Sequence, residues 1–167
     1  MTDQKLAKMT LNSEFLCQAD IELHEGAPML TPSIWHTRRV SNIVGGQITG
    51  PRLSGRILQS GADWSRSGVL EDGTVSTMLD VRSVWETDDG AQIYVTYGGR
   101  LVIPAAIIKD FVDPGQVEDI DPAEYYFRTL PTFETGAPQY DWLNHIVAVG
   151  IGQRTPKGVR YRIFQIT

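Results

Sequence analysis

The sequence predicts an all-β fold, a single antiparallel β-barrel with one or two short helices. Three observations lead there. Apolar and polar residues alternate with a period of two over most of the chain. Turn signals recur at close spacing between the alternating runs. Nowhere is there a long amphipathic helical pattern or a strand–helix alternation. A closed barrel is expected over an open sheet, because the strands are long and closure removes their exposed edges.

The elements follow in order. Residues 1–12 read as a flexible polar tail and 13–167 as one barrel domain without repeat or linker. In "EFLCQADIEL", Phe15, Cys17, Ala19, Ile21 and Leu23 fall on one face, while Gln18, Asp20 and Glu22 fall on the other. That is a half-buried strand. "TVSTMLDVRSVWETDDGAQIYVTYGG" is the clearest element. Val75, Thr77, Leu79, Val81, Ser83 and Trp85 share one face, and Met78, Asp80, Arg82 and Val84 share the other. "DDG" at 88–90 turns this strand into "AQIYVTY", giving a long hairpin. "EDG" at 71–73 joins an earlier strand to it. "HIVAVGIG" and "VRYRIFQI" flank the turn "QRTPKG". "LVIPAAIIKDFVD" has the weakest alternation and is the candidate for a short helix. "APQYDWLN" reads as a helical turn or a loop that plugs an opening.

Composition narrows the function classes. The 167 residues suit one domain, and 41% hydrophobic with 21% charged residues is a soluble globular profile. A net charge of −5 argues against a general phosphate-binding surface, although Arg38, Arg39, Arg52, Arg56 and Arg66 are all available for a local basic patch. Nucleic acid is not an expected partner. The one cysteine, Cys17, excludes an intrachain disulfide and fits a cytoplasmic location. "MTDQKLAKMTLNSEF" lacks the apolar core of a secretory signal, and no apolar run is long enough to span a membrane as a helix. His24, His36 and His145 are not spaced as a metal cluster. "VGGQITG" at 44–50 has glycines but no following helix to carry a pyrophosphate. No nucleophile elbow occurs. No cofactor and no metal are indicated, which leaves Asp, Glu, Tyr, Arg and His for any chemistry.

Several long stretches carry a resemblance: "GGQITGPRLSGRILQSGADW", "TDDGAQIYVTYGG", "DPAEYYFRTLPTFETGAPQYDWLN" and "AVGIG". In this order they resemble the DUF3237 family, also called UPF0311, over roughly residues 14–166. The resemblance implies a single calycin-like β-barrel of bacteria and fungi. It also implies cofactor-free lyase, decarboxylase or isomerase chemistry on phenolic and other aromatic small molecules. One segment departs from the pattern. Relatives usually read "PGGADW", whereas this chain reads "QSGADW" with Ser60 in place of the first glycine.

The candidate site residues are weighed one by one. Asp63 stands beside Trp64; a carboxyl next to an aromatic ring and partly desolvated has a raised pKa suited to acid–base work. The alternative is a turn Asp bonded to nearby backbone N–H groups. Asp80 and Arg82 share one strand face, either as a pair aimed at a ligand inside the barrel or as a solvated surface pair. In "EYYFRT", Tyr126 and Arg128 share a face; the Arg128 fork suits a carboxylate or phenolate, or else ties loops together. Arg52 fits the same anchoring role. Tyr94 and Tyr97 lie on opposite faces, so only one points inward, and a tyrosine hydroxyl there serves an enolate or phenolate. Tyr140, Trp142 and Asn144 near a barrel mouth suit stacking on an aromatic ligand, while as core Trp142 only caps the barrel end. His145 ranks low.

The expected function is a cofactor-independent lyase or isomerase acting on a small phenolic or polycyclic aromatic compound in the barrel pocket. Decarboxylation, elimination and ring opening or closure all fit. Asp63, Asp80, Tyr94 and Arg128 are the catalytic candidates. Arg52, Trp64, Arg82, Tyr126, Trp142 and Asn144 are the binding candidates. The alternative is a non-catalytic barrel that carries a small molecule. A homodimer is expected from the habit of small barrels to pair two-fold.

Overall fold

The computed structural model describes residues 10–30, 32–34 and 37–167. Most of the expected tail, together with His36, lies outside the described residues. Ten antiparallel strands form one sheet: β1 (Ser13–Leu23), β2 (Thr37–Arg38), β3 (Ser41–Thr49), β4 (Gly55–Asp63), β5 (Arg66–Val69), β6 (Val75–Thr87), β7 (Gln92–Ile103), β8 (Tyr126–Glu134), β9 (Ala148–Thr155) and β10 (Gly158–Ile166). β2 and β5 pair with each other beyond the point where β3 and β4 pair, so they prolong those two strands past short breaks. The other eight close into a barrel of the expected class, because β6 also pairs with β7. β1 lies between β3 and β10, and every ring neighbour runs antiparallel. Closure leaves no long edge unpaired.

Period-two alternation decides the inside. On β6, Thr77, Leu79, Val81, Ser83 and Trp85 are buried, and Met78, Asp80 and Arg82 are exposed. On β8, Phe127, Thr129, Pro131 and Phe133 are buried between exposed or half-buried neighbours. The "DDG" turn has Gly90 at φ 87°, and the hairpin register that it sets pairs Val84 with Tyr94 and Val81 with Tyr97. Residues directly opposite one another in an antiparallel pair point to the same face. Tyr97 is therefore an inward residue and Tyr94 an outward one.

The barrel is filled at one end and open at the other. At the filled end Trp85, Ile93, Val95, Phe133 and Leu143 are buried, with Trp85 edge-on to Phe133 at 6.0 Å between ring centres. The 3-10 segment Pro138–His145 covers this end, as expected of "APQYDWLN", and drives Leu143 into the core. At the open end the chain leaving β7 turns through a 3-10 turn, Ala105–Ile107, into a five-residue α-helix, Ile108–Val112. This is the short helix expected in "LVIPAAIIKDFVD". Its Phe111 is buried, edge-on to Tyr125. None of the described helices is long and apolar enough to cross a membrane.

One glycine links this packing to the interior. A Cβ at Gly152 would lie 2.5 Å from the Phe127 ring, which is itself buried against Tyr161 at 5.3 Å. Gly152→Ala should therefore cost about 1–3 kcal/mol through overpacking. In a thermal melt it should lower Tm by roughly 3–10 °C. An unchanged melt would show that the ring moves aside freely.

Candidate functional site

The open end holds a cavity of about 520 Å³. Its floor is a row of inward residues at matched register: Ser41 on β3 opposite Asp63 on β4, Asp63 opposite Val81 on β6, and Val81 opposite Tyr97 on β7. Tyr161 on β10 completes the floor, edge-on to Tyr97 at 5.4 Å between ring centres. One wall carries hydroxyls. Ser41, Ser65 and Thr77 are buried there, and Ser67 shares a 2.8 Å hydrogen bond with Thr77. The adjoining wall is apolar, with Leu101 directly opposite Thr77 in the β6–β7 register and Ile103, Ile108 and Phe111 beyond it.

β4 reaches the cavity through an irregularity. Between Ile57 and Gly61 it takes four residue steps where β6 takes two, from Trp85 to Ser83. The excess is even, so Asp63, opposite Val81, returns to the inward face set by Ile57. Gly61 sits at φ 94°, a conformation that favours glycine, and a Cβ there would meet the Arg82 carbonyl oxygen. The strand breaks at Trp64 and resumes as β5. The Asp63 side chain thus stands at the end of a strand segment, where its Oδ1 accepts a hydrogen bond from the Asp80 backbone N–H at 3.1 Å.

Electrostatics sets Asp63 apart from the other carboxylates. Burial pushes its pKa from the ordinary 3.8 up to about 6. The Asp80 N–H bond and the Arg39 guanidinium act in the opposite direction, while the Asp80 charge adds to the rise. Burial also holds the Tyr97 and Tyr161 hydroxyls far above the usual phenol range. The nearby Asp63 charge acts on both in the same sense, and a side-chain hydrogen bond joins the two phenols. Both stay protonated; the bond between them has Tyr161 donating to Tyr97, which leaves the Tyr97 proton free to donate into the cavity. The cavity therefore pairs one carboxyl that titrates near neutrality with two phenols that do not.

The expected site residues separate cleanly in space. Asp63 lines the cavity. Asp80 and Arg82 form a 3.0 Å ion pair on the outer face, each about half exposed. Tyr94 is 40% exposed on that face, and Trp64 is 43% exposed with its carbonyl accepting from Arg38 at 2.7 Å. Tyr126 is exposed, and Arg128 stacks over its ring at 5.0 Å while donating to the Phe127 carbonyl. The alternation of β8 points both of them outward. Arg52, Trp142 and Asn144 belong to the filled end. Arg52 lies 3.7 Å over the Trp142 ring and donates to Gln165, whereas Asn144 closes its own loop through the Thr135 backbone. His145 pairs there with Asp141 at 3.3 Å. These residues do not gather around one ligand space. Cys17 is fully buried, its thiol pushed up to about 12 by burial, so it holds a core position.

The rim of the cavity was not foreseen. Arg39 sits at the break between β2 and β3, and Arg154 near the end of β9. His24, Glu25 and Lys157 lie at the same mouth. Backbone bonds from Arg39 N–H to Ser65, His24 N–H to Asn42 and Leu23 N–H to Lys157 tie these segments together.

Comparison with known proteins places this barrel. The family described as a protein of unknown function, DUF3237, matches residues 11–166. The chain belongs to that family. A UPF0311 protein of Clostridium acetobutylicum is 35% identical over 130 residues, 78% of either chain. A β-barrel-like protein of Acinetobacter baumannii, solved as a crystal structure, is 36% identical with a TM-score of 0.78, over 95% of this chain and 97% of that one. An enzyme from Penicillium herquei shares the barrel fold at 24% identity and a TM-score of 0.61, over 94% and 95% of the two chains. At that identity the likeness speaks for the fold.

Proposed function

We propose that the protein is an enzyme that moves a proton on a small phenolic or polycyclic aromatic compound held in the barrel cavity, as a cofactor-independent lyase or isomerase. Asp63 is the observation that carries this reading: an inward carboxyl titrating near pH 6, beside two protonated phenols, in a cavity of small-molecule size. A carboxyl poised near the working pH both gives and takes protons efficiently. Tyr97, whose oxygen accepts from Tyr161 and whose own proton is free, stabilises the oxyanion that forms on the substrate, as a fixed donor does. The substrate's own phenol ring is the electron sink. In a decarboxylation the breaking C–C bond leaves its electrons in the ring, carbon dioxide departs, and Asp63 delivers a proton to the ring carbon. In an elimination or ring opening the Asp63 carboxylate removes a proton from carbon, the C–O bond breaks with its electrons on the leaving oxygen, and the protonated Asp63 then hands that proton to this oxygen.

A thermal-shift screen with phenols and aryl carboxylic acids tests this directly. Compounds that raise Tm are then incubated with wild type and with Asp63→Asn. Product formed by wild type and missing with the variant is the expected result. Tight binding with the compound recovered unchanged from both would make the protein a carrier.

A further inference from the structure

The mouth of the cavity carries a charge pattern that the proton chemistry at the floor does not use. The chain as a whole is acidic, at −5. Its mouth brings together three cations, Arg39, Arg154 and Lys157, against one carboxyl, that of Glu25. Most other arginines have a carboxylate or a ring as partner, whereas Arg38, Arg66 and Arg100 donate to the Trp64 carbonyl, the Met78 sulfur and the Gly99 carbonyl. Arg56, Arg82 and Arg160 pair with Glu86, Asp80 and Asp20 on the outer surface. Arg52, Arg128 and Arg162 lie over aromatic rings. Among the described residues, no carboxylate forms an ion pair with Arg39 or Arg154. Arg154 is half-buried and donates through Nη1 to the carbonyls of Thr155 and Gly158, which orients its plane and leaves its other N–H groups free of carboxylate.

We propose that Arg39 and Arg154 hold a carboxylate of the substrate at the cavity mouth, so that the ligand is an amphipathic aryl acid with its ring inward and its acid group outward. This rests on the reading of the cavity as the substrate site. The two guanidiniums repel each other: burial, and after it the Arg39 charge, lowers the Arg154 pKa. A bound carboxylate relieves that repulsion and accepts the planar N–H pairs that guanidinium offers. The anchor lies at the rim and Asp63 at the floor, so the held carboxylate is a handle and the reacting carbon belongs to the inner part of the ring system.

Isothermal titration calorimetry with 1-hydroxy-2-naphthoate and its primary amide separates the charge from the ring. Wild type should bind the acid roughly 10- to 100-fold more tightly than the amide, the range of a charge-assisted contact. Arg39 is exposed and only its backbone takes part in the rim bonds, so Arg39→Ala should keep the fold. In that variant the acid should fall to within about three-fold of the amide, with amide binding unchanged, and Arg39→Glu should favour the amide. Equal binding of acid and amide by wild type, equal loss of both in Arg39→Ala, or no binding of either compound would overturn the proposal. In Asp63→Asn the acid preference should persist. Preference without turnover in wild type would sink the enzyme reading and leave the anchor standing.

Discussion

Asp63→Asn is expected to lower the proposed turnover roughly 10²- to 10⁴-fold and at the same time to stabilise the fold at neutral pH. The two effects share one cause. Burial raises the Asp63 pKa from 3.8 to about 6, so the folded state holds a proton that the unfolded state releases. The contribution to stability is fully present below about pH 3.8 and is lost as pH rises through 6. Above that, the buried carboxylate costs the fold at most about 3 kcal/mol relative to its protonated form. An asparagine is neutral throughout, so the variant should melt higher at pH 7.5, and its stability should stay flat where that of wild type falls. A residue that only braces a turn would show the reverse, with lower stability at every pH. Denaturant melts from pH 4 to 8 on both proteins decide between them.

Trp85→Ala carries the largest expected loss of stability, about 3–5 kcal/mol, because the ring is 1% exposed at the filled end and packs edge-on to Phe133. Tm should fall by roughly 6–20 °C. Trp85→Phe should cost much less. Among the described residues nothing accepts the indole N–H, and nothing pairs with the Ser83 hydroxyl two residues away on the same face. An unsatisfied buried donor is itself costly, so removing it offsets part of the lost packing. Equal losses in the two variants would mean that the indole N–H is satisfied in solution.

The barrel was legible because its signals are local and periodic. The alternation of β6 and the "DDG" turn fix which residues point inward; on β1 it holds only from Cys17 onward, because a bulge between Phe15 and Cys17 leaves Phe15 exposed and buries Leu16. Val84 and Val81 were assigned to opposite faces from the sequence, and the turn pairs them with Tyr94 and Tyr97. Tyr97 was thus the inward tyrosine, on the more apolar face. Tyr161 sits likewise between Val159 and Ile163 on the apolar face of its strand. Asp63 was visible as a carboxyl beside an aromatic, although Trp64 turned out to mark the break of the strand rather than a wall of the cavity. Arg154 has no local signal, and Arg39 stands out in the sequence only as one of five arginines available for a basic patch. They reach the mouth only because the breaks after β2 and β4 and the β9–β10 turn converge at one end of a closed ring, and that convergence is a property of topology.

The central claim is that the cavity holds a carboxyl poised to transfer protons near neutrality. Carbon-13 NMR of the side-chain carboxyls, titrated from pH 3 to 8 and assigned by the resonance missing from Asp63→Asn, measures it without knowledge of the substrate. The account predicts a midpoint near 6 for Asp63. A midpoint near the ordinary 3.8 would contradict it.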